Sequence, residues 1–284
     1  MFCFDYSYVN KNFQVKFKPT SREVLPWRVE LDLAVQKICS DVNKPIYVLL
    51  SGGVDSEVLA RVMLSNDIPF KVLTFKHKNG TNDYDTYYAQ KFCEQHNIEM
   101  KVVSLDIQDF FDNQINNYIK QGYRATNVYH YQQLFMLEQL ENIGGFGIGA
   151  EGTQVYYTKN GVINLKINPS YTLGMDWCKN NNVNQQLWYL ESTPELYASY
   201  MNIDIIEALL KNPLYFNTNY YDSVEKTIVY HGYWPDMERR IKTGGFQYLK
   251  KMRKDKEDSL QEMFPDLVDY YFPIKQVKKE LYGR

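Results

Sequence analysis

Cysteine is scarce. The four in 284 residues are Cys3, Cys39, Cys93 and Cys178, far apart and with no CxxC pair. That spacing excludes a disulfide framework or a paired-cysteine zinc site and fits a reducing compartment. The four histidines, His77, His96, His130 and His231, show no metal-ligand spacing. No run of 18 apolar residues occurs, so nothing reads as membrane-spanning. The N-terminal stretch lacks the basic start and long apolar run of a signal peptide, and a cytoplasmic protein is expected. A formal charge of −2 excludes a polyanion binder by net charge alone. GxxxxGK[ST] is also missing, which excludes a Walker loop and its chemistry at the γ-phosphate.

What remains is an ordinary globular composition, 44% hydrophobic and 23% charged, enough to bury a sizeable core. The 25 tyrosines suit core and half-buried positions. Phe2–Val9 and Phe13–Phe17 read as short strands joined at Asn10–Asn12. Leu31, Leu33, Ala34, Val35 and Ile38 form a helical stripe. Apolar runs at 46–50, 70–75, 100–105 and 146–150 read as strands. Helical segments at 54–64, 84–96, 107–119 and 131–140 alternate with them, and Asp106 is placed to cap the third. That alternation predicts an α/β fold with a doubly wound parallel sheet covered on both faces. The rhythm then changes. Lys159-Asn160-Gly161 predicts a hairpin, Ser192-Thr193-Pro194-Glu195 reads as a capping box, and helices and loops are expected from about 222 onward. The implied organisation is an N-terminal β segment (1–30), a central α/β domain (31–200) and a helical C-terminal region (201–284).

The chemistry concentrates in Ser51-Gly52-Gly53-Val54-Asp55-Ser56, which leaves a buried strand and enters a helix. A Gly-Gly turn there directs backbone N–H groups outward at the helix N-terminus, where they and the helix dipole favour an anion. Ser51 and Ser56 add hydroxyl donors. A carboxylate beside phosphates is repulsive unless a metal lies between, so Asp55 implies Mg²⁺; it is alternatively a helix cap. Gly147-Ile148-Gly149-Ala150-Glu151-Gly152 satisfies GxGxxG, but a strand-like segment follows where a dinucleotide site needs a helix. It reads instead as a glycine-lined wall, with Glu151 as metal ligand or polar anchor, or as a simple turn.

SGGVDS resembles the signature of the PP-loop, or N-type, ATP pyrophosphatases. These include the synthetase domains of asparagine, GMP and NAD synthetases and the tRNA lysidine synthetases. The resemblance covers about residues 44–155, and Glu57-Val58-Leu59-Ala60-Arg61 brings it nearest the asparagine-synthetase-like branch. It implies an adenine nucleotide alpha hydrolase-like fold, ATP and Mg²⁺ as cofactors, and cleavage between the α- and β-phosphates. It places Ser51, Gly52, Gly53, Asp55 and Ser56 at the pyrophosphate and Leu49 and Leu50 beside the adenosine. Thr74-Phe75-Lys76 falls beside adenine, Asp83 and Asp85 at an acidic position, and Gly149 and Glu151 near the activated substrate or metal. Glutaminase-fused relatives carry a cysteine directly after the initiator methionine. Here Phe2 stands there and Cys3 comes one residue late, so ammonia or an amine donor is expected, from a separate glutaminase if from one at all. Cys93, in a helix, and Cys178, in a loop, read as structural.

Residues 238–256 hold eight basic residues against two acidic. Arg239, Arg240 and Lys242, near Gly244-Gly245, could fold onto the phosphates, and Arg239 and Lys242 are the candidate catalytic cations. Lys250–Lys256 reads as a solvated face or a polynucleotide contact. The acceptor is accordingly a small molecule, activated as a carboxylate or amide by adenylation, or a nucleic-acid base. A nucleotide-binding module without catalysis is the third reading, against which Asp55 and both serines argue.

Overall fold

The computed structural model describes residues 3–9, 12–150, 156–159, 162–210, 228–238, 240 and 249–283. Its centre is a parallel sheet of four strands: β3 (Ile46–Leu49), β4 (Lys71–His77), β5 (Met100–Leu105) and β6 (Phe146–Ile148), in the order β5-β4-β3-β6. Register is set by Val48, which lies opposite Val72 on one side and Ile148 on the other. Successive side chains of a strand face opposite ways, and the core divides accordingly. Tyr47, Leu73 and Leu105 enter one apolar cluster, and Val48, Leu50, Val72 and Ile148 enter the other. Both faces are covered, so the expected doubly wound α/β fold is what forms.

One face carries α1 (Trp27–Cys39) and α2 (Val54–Ser65), with Trp27, Leu31, Ala34 and Val35 of α1 buried. Leu33, counted in the predicted stripe, is 38% exposed. Also on this face are α3 (Asp83–His96) and, farther along, α8 (Pro194–Met201), whose Leu196 and Tyr200 join the same cluster. On the other face lie α6 (Val128–Asn142) and α7 (Leu173–Asn180). Residues 107–120 join them, starting at Asp106, whose carboxylate accepts from the Asp109 amide. That stretch was expected to be one regular helix; a π-helical turn at Phe110–Gln114 interrupts it.

Two small sheets flank this unit. β1 (Phe4–Val9) pairs antiparallel with β2 (Asn12–Phe17). β7 (Tyr156–Lys159) and β8 (Val162–Ile167) form the expected hairpin, and β9 (Tyr270–Pro273) adds to β8. That last strand corrects the reading of the C-terminal region as helices and loops alone: Leu165 pairs with Phe272, a contact no local pattern announces. The first hairpin and the C-terminal elements share one apolar cluster through Phe4, Phe17, Leu260 and Val277.

Three further expectations are corrected. The cap of α8 is Thr193, not Ser192, and its hydroxyl accepts from the Leu196 amide. Glu195 accepts instead from the amide and hydroxyl of Ser21, tying the N-terminal segment to α8. Cys178 lies in α7 rather than a loop. Cys3 is fully buried, and burial raises its thiol well above the ordinary value, so it is no exposed nucleophile.

Candidate nucleotide-binding site

In sequence order the parallel strands run 3-2-1-4 across the sheet, so the direction of winding reverses between β3 and β6. Ligands of open α/β sheets sit beyond the carboxyl ends of the strands at that reversal. The loop 50–53 leaves β3 there, and Gly149-Ala150 leaves β6 alongside it.

Gly52 has φ +80°, and a Cβ on it would lie 1.9 Å from the Asp85 carbonyl oxygen. Glycine is therefore required twice, once by the left-handed backbone and once by the approach of α3. Gly53 is the N-cap of α2, so Asp55 stands inside the first turn and caps nothing. The Ser56 hydroxyl donates to the Gly53 carbonyl (3.0 Å) and accepts from the Ser51 amide (3.2 Å); the Ser51 and Ser56 hydroxyls are 3.2 Å apart. These short-range bonds close the loop on itself.

Residues 228–240 bring a second layer onto the loop. Tyr230, fully buried and stacked on Trp27, donates to Asp55 Oδ1 at 2.5 Å. Arg61 bridges Glu57 (2.7 Å) and Asp236 (2.8 Å), and Lys91 pairs with Glu238. Arg240 donates from Nε to the Gly52 carbonyl at 2.6 Å and pairs with Glu57, and its guanidinium lies 4.7 Å from the Tyr88 ring centroid. The Arg240 and Glu57 side chains are only 3% and 6% exposed. Removing one partner of a buried ion pair typically costs ~3–5 kcal/mol, since the other charge is stranded.

Of the predicted site residues, the loop thus gathers Ser51, Gly52, Gly53, Asp55 and Ser56. Leu49 ends β3 beside it, and Thr74 and Phe75 lie near the carboxyl end of β4, the next strand. That strand end is fixed by Asn82, whose side chain accepts from the His77 amide and donates to the Phe75 carbonyl. Asp83 pairs with Lys76, and Asp85 is buried with its carbonyl against Gly52. Gly149 has a clear packing reason: a Cβ there would lie 2.7 Å from the Leu187 carbonyl, where 186–189 pairs with the end of β6. Glu151, Arg239 and Lys242 lie outside the described residues. Among the described residues, Arg240 is a cation that the structure brings to the loop.

The asparagine synthase family model matches residues 27–137. Residues 27–137, less than half of the chain, are thus similar to an asparagine synthase domain. No curated protein matches the sequence. Among solved structures, the domain is similar to NMN synthetase of Francisella tularensis at 12% identity and TM-score 0.36, over 84% of this chain and 92% of that one. An NH3-dependent NAD synthetase of Campylobacter jejuni matches at 15% identity and TM-score 0.36, over 83% and 96%. A U34-tRNA thiolase of Methanococcus maripaludis matches at 14% and 0.36, over 83% and 80%. These distances carry nothing about the acceptor of the domain.

For Mg²⁺ the residues fit. Among the described residues no cluster of three metal-ligating side chains occurs, but Mg²⁺ beside a nucleotide needs only one or two carboxylates in addition to phosphates. Asp55, in the first turn after the loop, supplies one. The basic run is less available than its sequence suggests. In α10 (Lys250–Met263) Arg253 pairs with Glu257 and Lys256 bonds Asn116, while Lys250, Lys251 and Lys254 are exposed. No helix among the described residues is long and apolar enough to cross a membrane.

Proposed function

We propose that this protein is an AMP-forming, ATP-dependent ligase or amidotransferase-like enzyme. A carboxylate or amide oxygen of a small-molecule acceptor attacks the α-phosphorus of ATP, and the bond from that phosphorus to the bridging oxygen breaks. Pyrophosphate leaves. Ammonia or an amine then adds to the activated carbon, AMP departs, and the nitrogen gives up a proton. The observation that carries the reading is the loop 51–56 at the reversal point of the sheet. Its glycine is forced left-handed, its serines are bonded within the loop, and no Walker lysine is present to direct chemistry to the γ-phosphate.

In this reading the backbone amides at the start of α2 hold the leaving pyrophosphate, joined by the Ser51 and Ser56 hydroxyls once these turn from their bonds within the loop. Leu49, Thr74 and Phe75 border the adenosine. Asp55 would hold Mg²⁺, which would supply positive charge against the phosphates. Glu151 is proposed as a second metal ligand, and Arg239 and Lys242 as cations over the phosphates. The contribution of the protein is chiefly positioning and fixed dipoles. A small-molecule acceptor is favoured over a nucleic-acid base because two of the five cations of α10 are engaged internally.

The test is the nucleotide product. Incubation with ATP, Mg²⁺, ammonia and a panel of carboxylates and amides, followed by chromatography, is expected to yield AMP and pyrophosphate in equal amounts. ADP as the main product would refute the assignment.

A further inference from the structure

Two consecutive peptide groups of the loop have their carbonyls fixed, by different means. The Gly53 carbonyl accepts from the Ser56 hydroxyl and the Glu57 amide, both a few residues away. The Gly52 carbonyl accepts from Arg240, 188 residues along the chain. In a trans peptide the C=O and the following N–H point in opposite directions. Fixing these carbonyls therefore aims the Gly53 and Val54 N–H groups the other way, and the structure gives neither an acceptor among the described residues. They form an adjacent pair of donors at the N-terminus of α2, the arrangement that takes an anion.

We infer that Arg240 is a positioning residue of the pyrophosphate loop: it holds the Gly52–Gly53 peptide in the orientation that presents the Gly53 amide to phosphate. Glycine on both sides of that peptide removes the steric restraints that would otherwise limit its rotation. Short-range bonds fix the next peptide but not this one. The guanidinium suits the task because its planar fork bonds the carbonyl and Glu57 together while its face lies on Tyr88. Residues 228–238, docked through Tyr230 and Asp236, lead to it. The guanidinium does not serve phosphate directly, being committed to the loop carbonyl and to a carboxylate. The inference rests on the loop being a phosphate site.

The test uses the full-length chain and two probes, inorganic pyrophosphate and ATP, each with Mg²⁺, titrated calorimetrically into wild type, R240M, R240K and K91M. K91M breaks the pairing of segment 228–240 with α3 without touching the loop. R240M is expected to lower affinity for both probes at least tenfold. R240K, which reaches the carbonyl or Glu57 but not both, should fall between R240M and wild type. K91M should stay within about twofold of wild type. A merely structural role predicts instead that K91M and R240M weaken binding alike, each in proportion to its loss of melting temperature. That pattern, or R240M binding as wild type does, overturns the inference. Should R240M fail to fold, R240K decides: wild-type affinity in that variant overturns it. No binding by wild type overturns the phosphate-loop reading and this inference with it, whereas binding that survives R240M overturns the inference alone.

Discussion

Gly52 offers the sharpest test of the loop, because two separable effects act on one residue. Replacing it with alanine places an L side chain at φ +80°, which costs about 1–2 kcal/mol for a left-handed conformation. The new Cβ would also lie 1.9 Å from the Asp85 carbonyl oxygen. Ordinary contact begins near 3.4 Å, so the loop and the first turn of α3 must part by about 1.5 Å. Overpacking of that kind costs typically ~1–3 kcal/mol. The combined loss, about 3 kcal/mol, corresponds to a fall in Tm on the order of 10 °C for a chain of this size. Gly144 supplies the control. Its φ is +65° just past the end of α6, and nothing lies within 4 Å of its Cβ position. Gly144→Ala therefore carries the backbone cost alone, roughly 1–2 kcal/mol. Calorimetry of both variants, with titration of Mg²⁺-pyrophosphate, separates the effects. Gly52→Ala should melt well below Gly144→Ala and lose pyrophosphate binding, while Gly144→Ala keeps it. If Gly52→Ala melts with or above the control and binds pyrophosphate as wild type does, the contact with α3 does not shape the site.

Asp55→Asn is expected to reduce pyrophosphate release at least a hundredfold with little change in melting, since the amide oxygen still accepts from Tyr230; wild-type turnover in this variant would remove Asp55 from the metal site. Tyr230→Phe keeps the stack on Trp27 but deletes a hydrogen bond to a charged group, a loss of about 1.5–3 kcal/mol in denaturant unfolding; unchanged stability would mean that the segment docks by packing alone. Acid should destabilise the fold in a defined window. Burial pushes His77 and His130 down from 6.5 to about 4, so the folded state favours the neutral ring. The unfolded chain then binds more protons between those values. Stability is complete above pH 6.5 and declines toward pH 4, by up to ~3 kcal/mol for each histidine. A Tm independent of pH between 7 and 5 would contradict this.

The legibility of this protein follows the range of its interactions. Strands β3 and β4 announced themselves because each is a short, largely buried apolar run with a helical pattern after it, whereas edge strand β5, with Lys101, Val102 and Ser104 exposed, was legible from its remaining apolar residues and the helical pattern that follows. The loop 51–56 was readable for the same reason: strand, glycines, serines and helix are contiguous, and its closing bonds span five residues at most. The metal role proposed for Asp55 likewise rests on a local argument about like charges. In two places where the reading misplaced something, the deciding partner was distant. Glu195 fitted a capping box until Ser21 claimed it, and β9 carried no visible pairing signal because β8 lies about a hundred residues before it.

By itself the sequence determined the fold class, the glycine-rich turn from strand to helix and the absence of a Walker motif, all consequences of period, glycine placement and residue type within short stretches. The tertiary structure alone decided the second layer of the site. The carbonyl of Asp85 is what makes Gly52 obligatory, the phenol of Tyr230 is what meets Asp55, and the guanidinium of Arg240 is what bonds the loop carbonyl. Each of those contacts joins segments tens to hundreds of residues apart. A pattern of residue types cannot rank the many partners open to a carboxylate or guanidinium at that range; packing of the elements that carry them can.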